Sequence, residues 1–169
     1  MTRRALAGVG LAVAVAVALG GAGAWSYAQA RGDDDLAYGR ARDAALADGR
    51  AAVATLTTLD ASTAARAKAD VAAWRSVSSG PLRAELGRAA APSVGASTRG
   101  VVTDAALTAL DDRAGTAKLI ATVRVETTPK NAESPTTDRK RLEATLTKAS
   151  GDTWKVKALS AVPVAEVSG

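Results

Sequence analysis

The stretch AKLIATVRVET, residues 117–127, decides the fold. Side chains alternate along an extended chain, which places Ala117, Leu119, Ala121, Val123 and Val125 on one side and Lys118, Ile120, Thr122, Arg124 and Glu126 on the other. An apolar side backed by a mostly polar one describes an antiparallel sheet covered on one face only. Just upstream, DDRAG at 111–115 is a turn by composition. Residues 99–110 before it carry a second alternation, with Val101, Thr103, Ala105 and Leu107 expected to face together. Downstream, a longer connection with Pro129, Asn131 and Pro135 leads to a strand at 139–149 that sets Leu142, Ala144 and Leu146 against Arg141, Glu143 and Thr145. Gly151 and Asp152 turn the chain into a last strand, 153–161, with Trp154, Val156 and Ala158 opposed to Lys155 and Lys157. The four strands are expected to form a meander.

Toward the N-terminus the period lengthens to that of a helix. Residues 34–58 place Leu46, Val53 and Leu56, together with Ala41, Ala45 and Ala52 and with Leu59 just beyond, at roughly three- and four-residue spacing. Arg40, Arg42, Asp43, Asp48 and Arg50 lie mainly off that stripe, and Gly49 weakens the middle. Asp33, Asp34 and Asp35 complement the positive end of the helix dipole; three consecutive carboxylates point to different sides and do not converge on one cation. Asp60 or Ser62 is the expected N-cap of a second helix, 62–77, whose core side is Ala64, Ala67, Val71 and Trp74. Ser78-Ser79-Gly80-Pro81 ends it, and Pro81 suits the first turn of a short third helix carrying Leu82 and Leu86. Residues 90–97 read as a connection. Helices gathered before a half-buried sheet predict an α+β domain over 33–163, three helices packed on one face of a curved four-stranded antiparallel sheet, with 164–169 as a flexible tail.

Ahead of that domain, residues 5–30 carry no charge, with Arg3 and Arg4 before them and Arg31 and the three aspartates after. A helix of that length reaches about 39 Å, more than the ~30 Å hydrocarbon core of a bilayer. The flanking charges predict a cytoplasmic N-terminus and an extracytoplasmic domain, and Trp25 and Tyr27 sit where aromatic rings prefer the headgroups. Residues 1–32 are therefore expected to be a single-pass cell-membrane anchor. The alternative is a cleaved signal, since Ala28-Gln29-Ala30 has the small-x-small form of a signal peptidase site.

Composition narrows the chemistry. The chain has no His, no Cys and no Phe, three Trp and two Tyr, so the core rests on Leu, Val, Ala and on Trp74 and Trp154. Absence of His and Cys excludes histidine dyads, thiol nucleophiles and His-ligated metals, and no cofactor is expected. Asp43, Asp48, Tyr38 and Asp104 are the remaining candidate acids or bases, each read first as exposed or capping. The net charge of +5 invites a nucleic-acid partner, but charges alternate in sign and Arg139-Lys140-Arg141 has no aromatic platform beside it, so none is expected; anionic headgroups suit the compartment better. Leu119, Ala121, Val123, Leu142, Leu146, Trp154 and Val156, with Trp74, would line any cavity between sheet and helices, against the plainer reading of a filled core. Lys118, Ile120, Thr122, Arg124, Arg141, Glu143, Thr145, Lys155 and Lys157 would form a mixed-charge outer face able to hold partners or a second copy of the chain.

AAVATLTTLD at 51–60, SSGPL at 78–82 and the strand segments VVTDAALTALDDRAGTAKLIATVRVET and DRKRLEATLTKASGDTWKVKALSAVP together resemble the actinobacterial Mce-associated membrane proteins, from the membrane run to Pro163. The resemblance implies a nuclear-transport-factor-like (cystatin-like) cone fold on a single-pass anchor. It also implies an accessory or scaffold role beside mammalian-cell-entry complexes that move lipids and sterols across the envelope; from the residues themselves, no enzymatic activity is expected. The chain departs from that pattern in lacking, after Asp60, the tyrosines that related chains commonly carry there. Two other classes stand beside this reading: a lipid- or small-ligand-binding module, secreted if the signal is cleaved, and an isomerase- or cyclase-like enzyme using a carboxylate in an apolar cone.

Overall fold

The computed structural model describes residues 33–89, 94–130 and 134–162. The expected membrane run at 5–30 and tail at 164–169 lie outside them. Among the described residues no helix is long and apolar enough to cross a membrane. The chain is α+β: α1 over 33–56, α2 Ala64–Val77, α3 Gly80–Arg88, then β1 Ser97–Asp111, β2 Thr116–Thr128, β3 Thr136–Lys148 and β4 Trp154–Ala161, with a 3-10 turn at Ser150–Asp152. Contacts divide it into Met1–Arg40 and Ala41–Gly169, and the second unit holds the sheet, α2, α3 and all of α1 from Ala41 onward.

The four strands form one antiparallel sheet in the order β1-β2-β3-β4, each paired with its sequence neighbour. β2 and β3 alternate as expected: Ala117, Leu119, Ala121, Val123 and Val125 are buried, as are Leu142, Ala144 and Leu146. They form one cluster with Trp154 and Val156 of β4 and Ala45, Ala52 and Val53 of α1. The inner face of the sheet is therefore the core, with Val77 and Leu82 packed at its side.

The outer strands depart from simple alternation. β1 has register shifts between Val102 and Asp104 and between Leu107 and Ala109. At each, a threonine is the extra residue and its hydroxyl donates to the partner strand, Thr103 to the Thr122 carbonyl at 3.1 Å and Thr108 to that of Lys118 at 3.4 Å. A bulge re-phases the strand. Val102, Ala105, Leu107 and Leu110 face inward with the core, while Val101 and Thr103, expected to share a side with Ala105 and Leu107, are exposed. β4 behaves alike. Thr145 pairs with Ala158 but Leu146 with Val156, so Lys157 is the extra residue; Leu159 turns into the core and Ala158, expected on the side of Trp154 and Val156, turns out.

α1 approaches the inner face most closely at Gly49, which is buried. A Cβ there would lie 2.8 Å from Leu119 Cδ1 and 2.9 Å from Leu146 Cδ1, so the absence of a side chain sets the helix–sheet spacing. The helix ends where Thr57 and Thr58 turn their hydroxyls back on the carbonyls of Val53 and Ala54, each at 2.8 Å, competing with the backbone ladder. The Thr58 oxygen then accepts the Gly100 N–H at 3.1 Å, and the Thr57 side chain occupies the space that a Cβ on Gly100 would need. Leu59 and Thr98 exchange two backbone bonds of 2.8 Å. The end of α1 is thereby joined to the start of β1.

The N-cap of α2 is Thr63, whose hydroxyl accepts from the Arg66 N–H at 3.3 Å, not Asp60 or Ser62. Asp60 instead closes the preceding turn: it accepts from the Ser62 N–H at 3.0 Å and from Arg66 Nη1 at 2.9 Å. Bonds from the Ser62 hydroxyl and N–H, and from Arg66, hold its carboxyl down at about 2 against an ordinary value of 3.8. Within α2, Ala67 is buried and Val71 and Trp74 half-buried, but Ala64 is exposed. The Trp74 indole donates to the Thr58 carbonyl at 2.8 Å. α3 starts with Pro81 in its first turn, and the Ser79 N–H donates to Val156 at 2.8 Å, closing the free side of β4.

Candidate functional site

The residues expected to line a cavity are packed together instead of facing open space. Leu119, Val123, Leu142, Leu146, Trp154 and Val156 all belong to the buried cluster, and Trp74 is engaged with Thr58 just past the end of α1. Trp154 alone of these also borders a groove, of about 350 Å³, between α1, the end of α2 and the start of β4. Its apolar lining is Ala51, Ala52, Val77 and Trp154 and its polar lining includes Asp48, Thr55, Ser76 and Lys155. The Trp154 Nε1 is buried without a partner among the described residues.

Asp48 shows why a groove forms there. Its Oδ2 accepts the backbone N–H of Trp154 at 2.8 Å, which satisfies the first donor of β4 and pins that strand to the helix. The carboxylate expected on the polar helix face is thus part of a helix–sheet joint. Of the other candidate acids, Asp43 and Asp104 lie on different elements, α1 and β1. Asp43 is exposed beside Arg42, 3.6 Å away; Tyr38 lies in the first unit and is exposed; Asp104 is exposed at the first bulge of β1.

The more extensive feature is the outer face of the sheet. Register places Lys118, Ile120, Thr122, Arg124 and Glu126 of β2 beside Arg139, Arg141, Glu143 and Thr145 of β3, with Val101, Asp104 and Ala106 on one side and Lys155, Ala158 and Ser160 on the other. Lys118 and Glu143 lie 4.0 Å apart. A depression of about 260 Å³ opens at the Thr103 bulge, lined by Asp104, Ala106, Ile120, Thr122 and Arg141. Lys157 belongs elsewhere: its Cγ lies 3.4 Å from where a Cβ on Gly80 would be, beside the first turn of α3.

Two residues of this face escape a sequence reading. Arg99 pairs with Glu126 and Arg139 with Arg124, so both point outward. Arg139-Lys140-Arg141 reads as one basic run, but the pleat divides it: Lys140 lies opposite inward-facing Val123, and the two arginines share the outer face. Strict alternation back from Leu142 carries that signal for Arg139. No such signal exists for Arg99, because the bulge at Thr103 sets its side. No protein-family model, curated protein or solved structure matches the chain.

Proposed function

We propose that this protein is a membrane-anchored, extracytoplasmic accessory or scaffold subunit that holds its partners through the outer face of the sheet. The observation carrying the reading is the contrast between the two faces. The inner one is filled by α1 and its neighbours; the outer one presents side chains from all four strands, mixing arginine, threonine and aliphatic groups. A face of that composition resembles the polar rim and mixed centre of a protein–protein contact. The uncharged run at 5–30 supports a membrane tether with the domain outside the cytoplasm, and the resemblance to Mce-associated proteins points to a lipid-transport complex as the partner.

Affinity purification of the full chain from membranes in mild detergent tests this. Permease or mammalian-cell-entry subunits are expected to co-purify with the parent and to be lost with Ala158→Arg, at the exposed β4 side of the face; recovery of the parent alone overturns the reading. A lipid- or small-ligand-binding role is the second reading, supported by the groove bordered by Asp48 and Trp154. It requires the melting temperature to rise with added sterol or fatty acid, and an unchanged melting curve removes it.

A further inference from the structure

We infer that one end of the outer sheet face, built on Arg124, Arg139 and Arg141, docks on the headgroup phosphates of anionic phospholipid. Arg124 and Arg139 are directly opposite across β2 and β3, and Arg141 is the next outward residue on β3, opposite Thr122. Directly opposed side chains have Cβ atoms about 5 Å apart and diagonal ones about 7–8 Å, and like charges so placed repel. All three arginines are exposed, and among the described residues none is in an ion pair. The acidic groups near it on this face are Glu126, opposite Arg99, Asp104, which shares the depression with Arg141, and Glu143, the next outward residue after Arg141, which pairs with Lys118 at 4.0 Å; the four arginines outnumber them. Such a cluster is relieved by an oxyanion that several guanidinium forks share, and phosphate geometry suits it.

The neighbours of the cluster decide between sources of phosphate. Val101 lies opposite Arg124 and is 37% exposed, and Ile120 is half-buried one outward position from Thr122. Aliphatic groups among arginines suit the boundary between headgroups and acyl chains, where long basic side chains keep their charge in the polar layer. Single-stranded nucleic acid would call for stacking platforms, yet the chain has no Phe and Trp74 and Trp154 both belong to the helix side of the sheet; a duplex offers phosphates but no apolar layer for Val101 and Ile120. The inference rests on the anchor reading only in that the anchor brings a membrane within reach.

The chain has no Cys, so Val101→Cys takes a single fluorophore on this face. The labelled full chain is reconstituted in nanodiscs of phosphatidylcholine alone, or of phosphatidylcholine with phosphatidylglycerol, each carrying headgroup nitroxides as quenchers. Quenching is expected in the anionic discs, weakened by salt. It should be lost in the folded R124S/R139S/R141S variant, with about fivefold weaker association for each arginine removed, and kept in K68S on α2. Equal quenching in neutral and anionic discs, or an unaffected triple variant, overturns the inference in favour of a protein occupant or a merely solvated face. If the chain enters neither disc, the anchor reading fails by itself. Co-flotation with phosphatidylglycerol but not phosphatidylcholine vesicles then sustains the docking site, and no flotation with either overturns it.

Discussion

Gly49 is where the first helix comes closest to the sheet, and two opposed effects meet on it. Replacing glycine by alanine inside a helix gains about 1 kcal/mol of propensity. Here the new methyl would press on Leu119 and Leu146, both fully buried, and overpacking a tight core costs about 1–3 kcal/mol. The contact should win: Gly49→Ala is expected to melt below the parent and Gly49→Val lower still, whereas Gly87→Ala, with only the Arg75 side chain about 4 Å away, should melt at or above it. A Gly49→Ala variant more stable than the parent shows that the helix sits farther from the sheet.

Asp60 carries a different residue-scale consequence. Its carboxyl titrates below the ordinary value of 3.8, at about 2, so the folded chain holds the carboxylate more firmly than the unfolded chain does. Stability from this group is complete above about pH 4 and is lost as pH falls through about 2. Melting temperatures of the parent are expected to drop over that window more steeply than those of Asp60→Asn, which keeps the turn geometry and removes the charge. Parallel curves would show that the turn does not favour the charged form.

Among the elements, β1 separates residue pattern from backbone geometry. Simple alternation buries Val101 and exposes Val102; the bulge at Thr103 reverses them. Val102→Thr should therefore cost about 1–2 kcal/mol for a hydroxyl placed at the core margin, and Val101→Thr should stay within about 0.5 kcal/mol of the parent, as read by urea denaturation. The opposite order would remove the bulge. β2 and β3 are legible in the sequence because one apolar side runs unbroken from Ala117 to Val125 and from Leu142 to Leu146. β1 and β4 are not, because a bulge adds one residue without any compositional mark, and threonine and lysine are ordinary strand residues. The role of Asp48 is hidden for a similar reason, since the N–H it accepts belongs to Trp154, far along the chain.

At the scale of the whole domain, cohesion is uneven. The buried cluster draws on α1 and on β2, β3 and β4, while α3 has no buried residue. Amide exchange should reflect this: Leu119, Ala121 and Leu146 are expected to exchange only through global unfolding, and the amides of α3 through local opening at least tenfold faster. Uniform protection would indicate that α3 unfolds only with the sheet. The α+β class and the strand count are legible from sequence. The choice of which face is free is legible only in the two central strands, because the edges depend on bulges and on contacts between distant segments.

The bond between Asp48 and Trp154 spans 106 residues, while every strand in the sheet pairs with the one just before it. A chain made from its N-terminus can therefore zip β1, β2 and β3 as each emerges, since those loops are short and close cheaply. α1 is made first, yet its joint to β4 forms only when Trp154 has left the ribosome. Over that interval the stripe around Ala45, Gly49 and Val53 is without its full cover, and a chain stopped before Trp154 keeps it so. Completion of the last strand is thus the step that commits the helix.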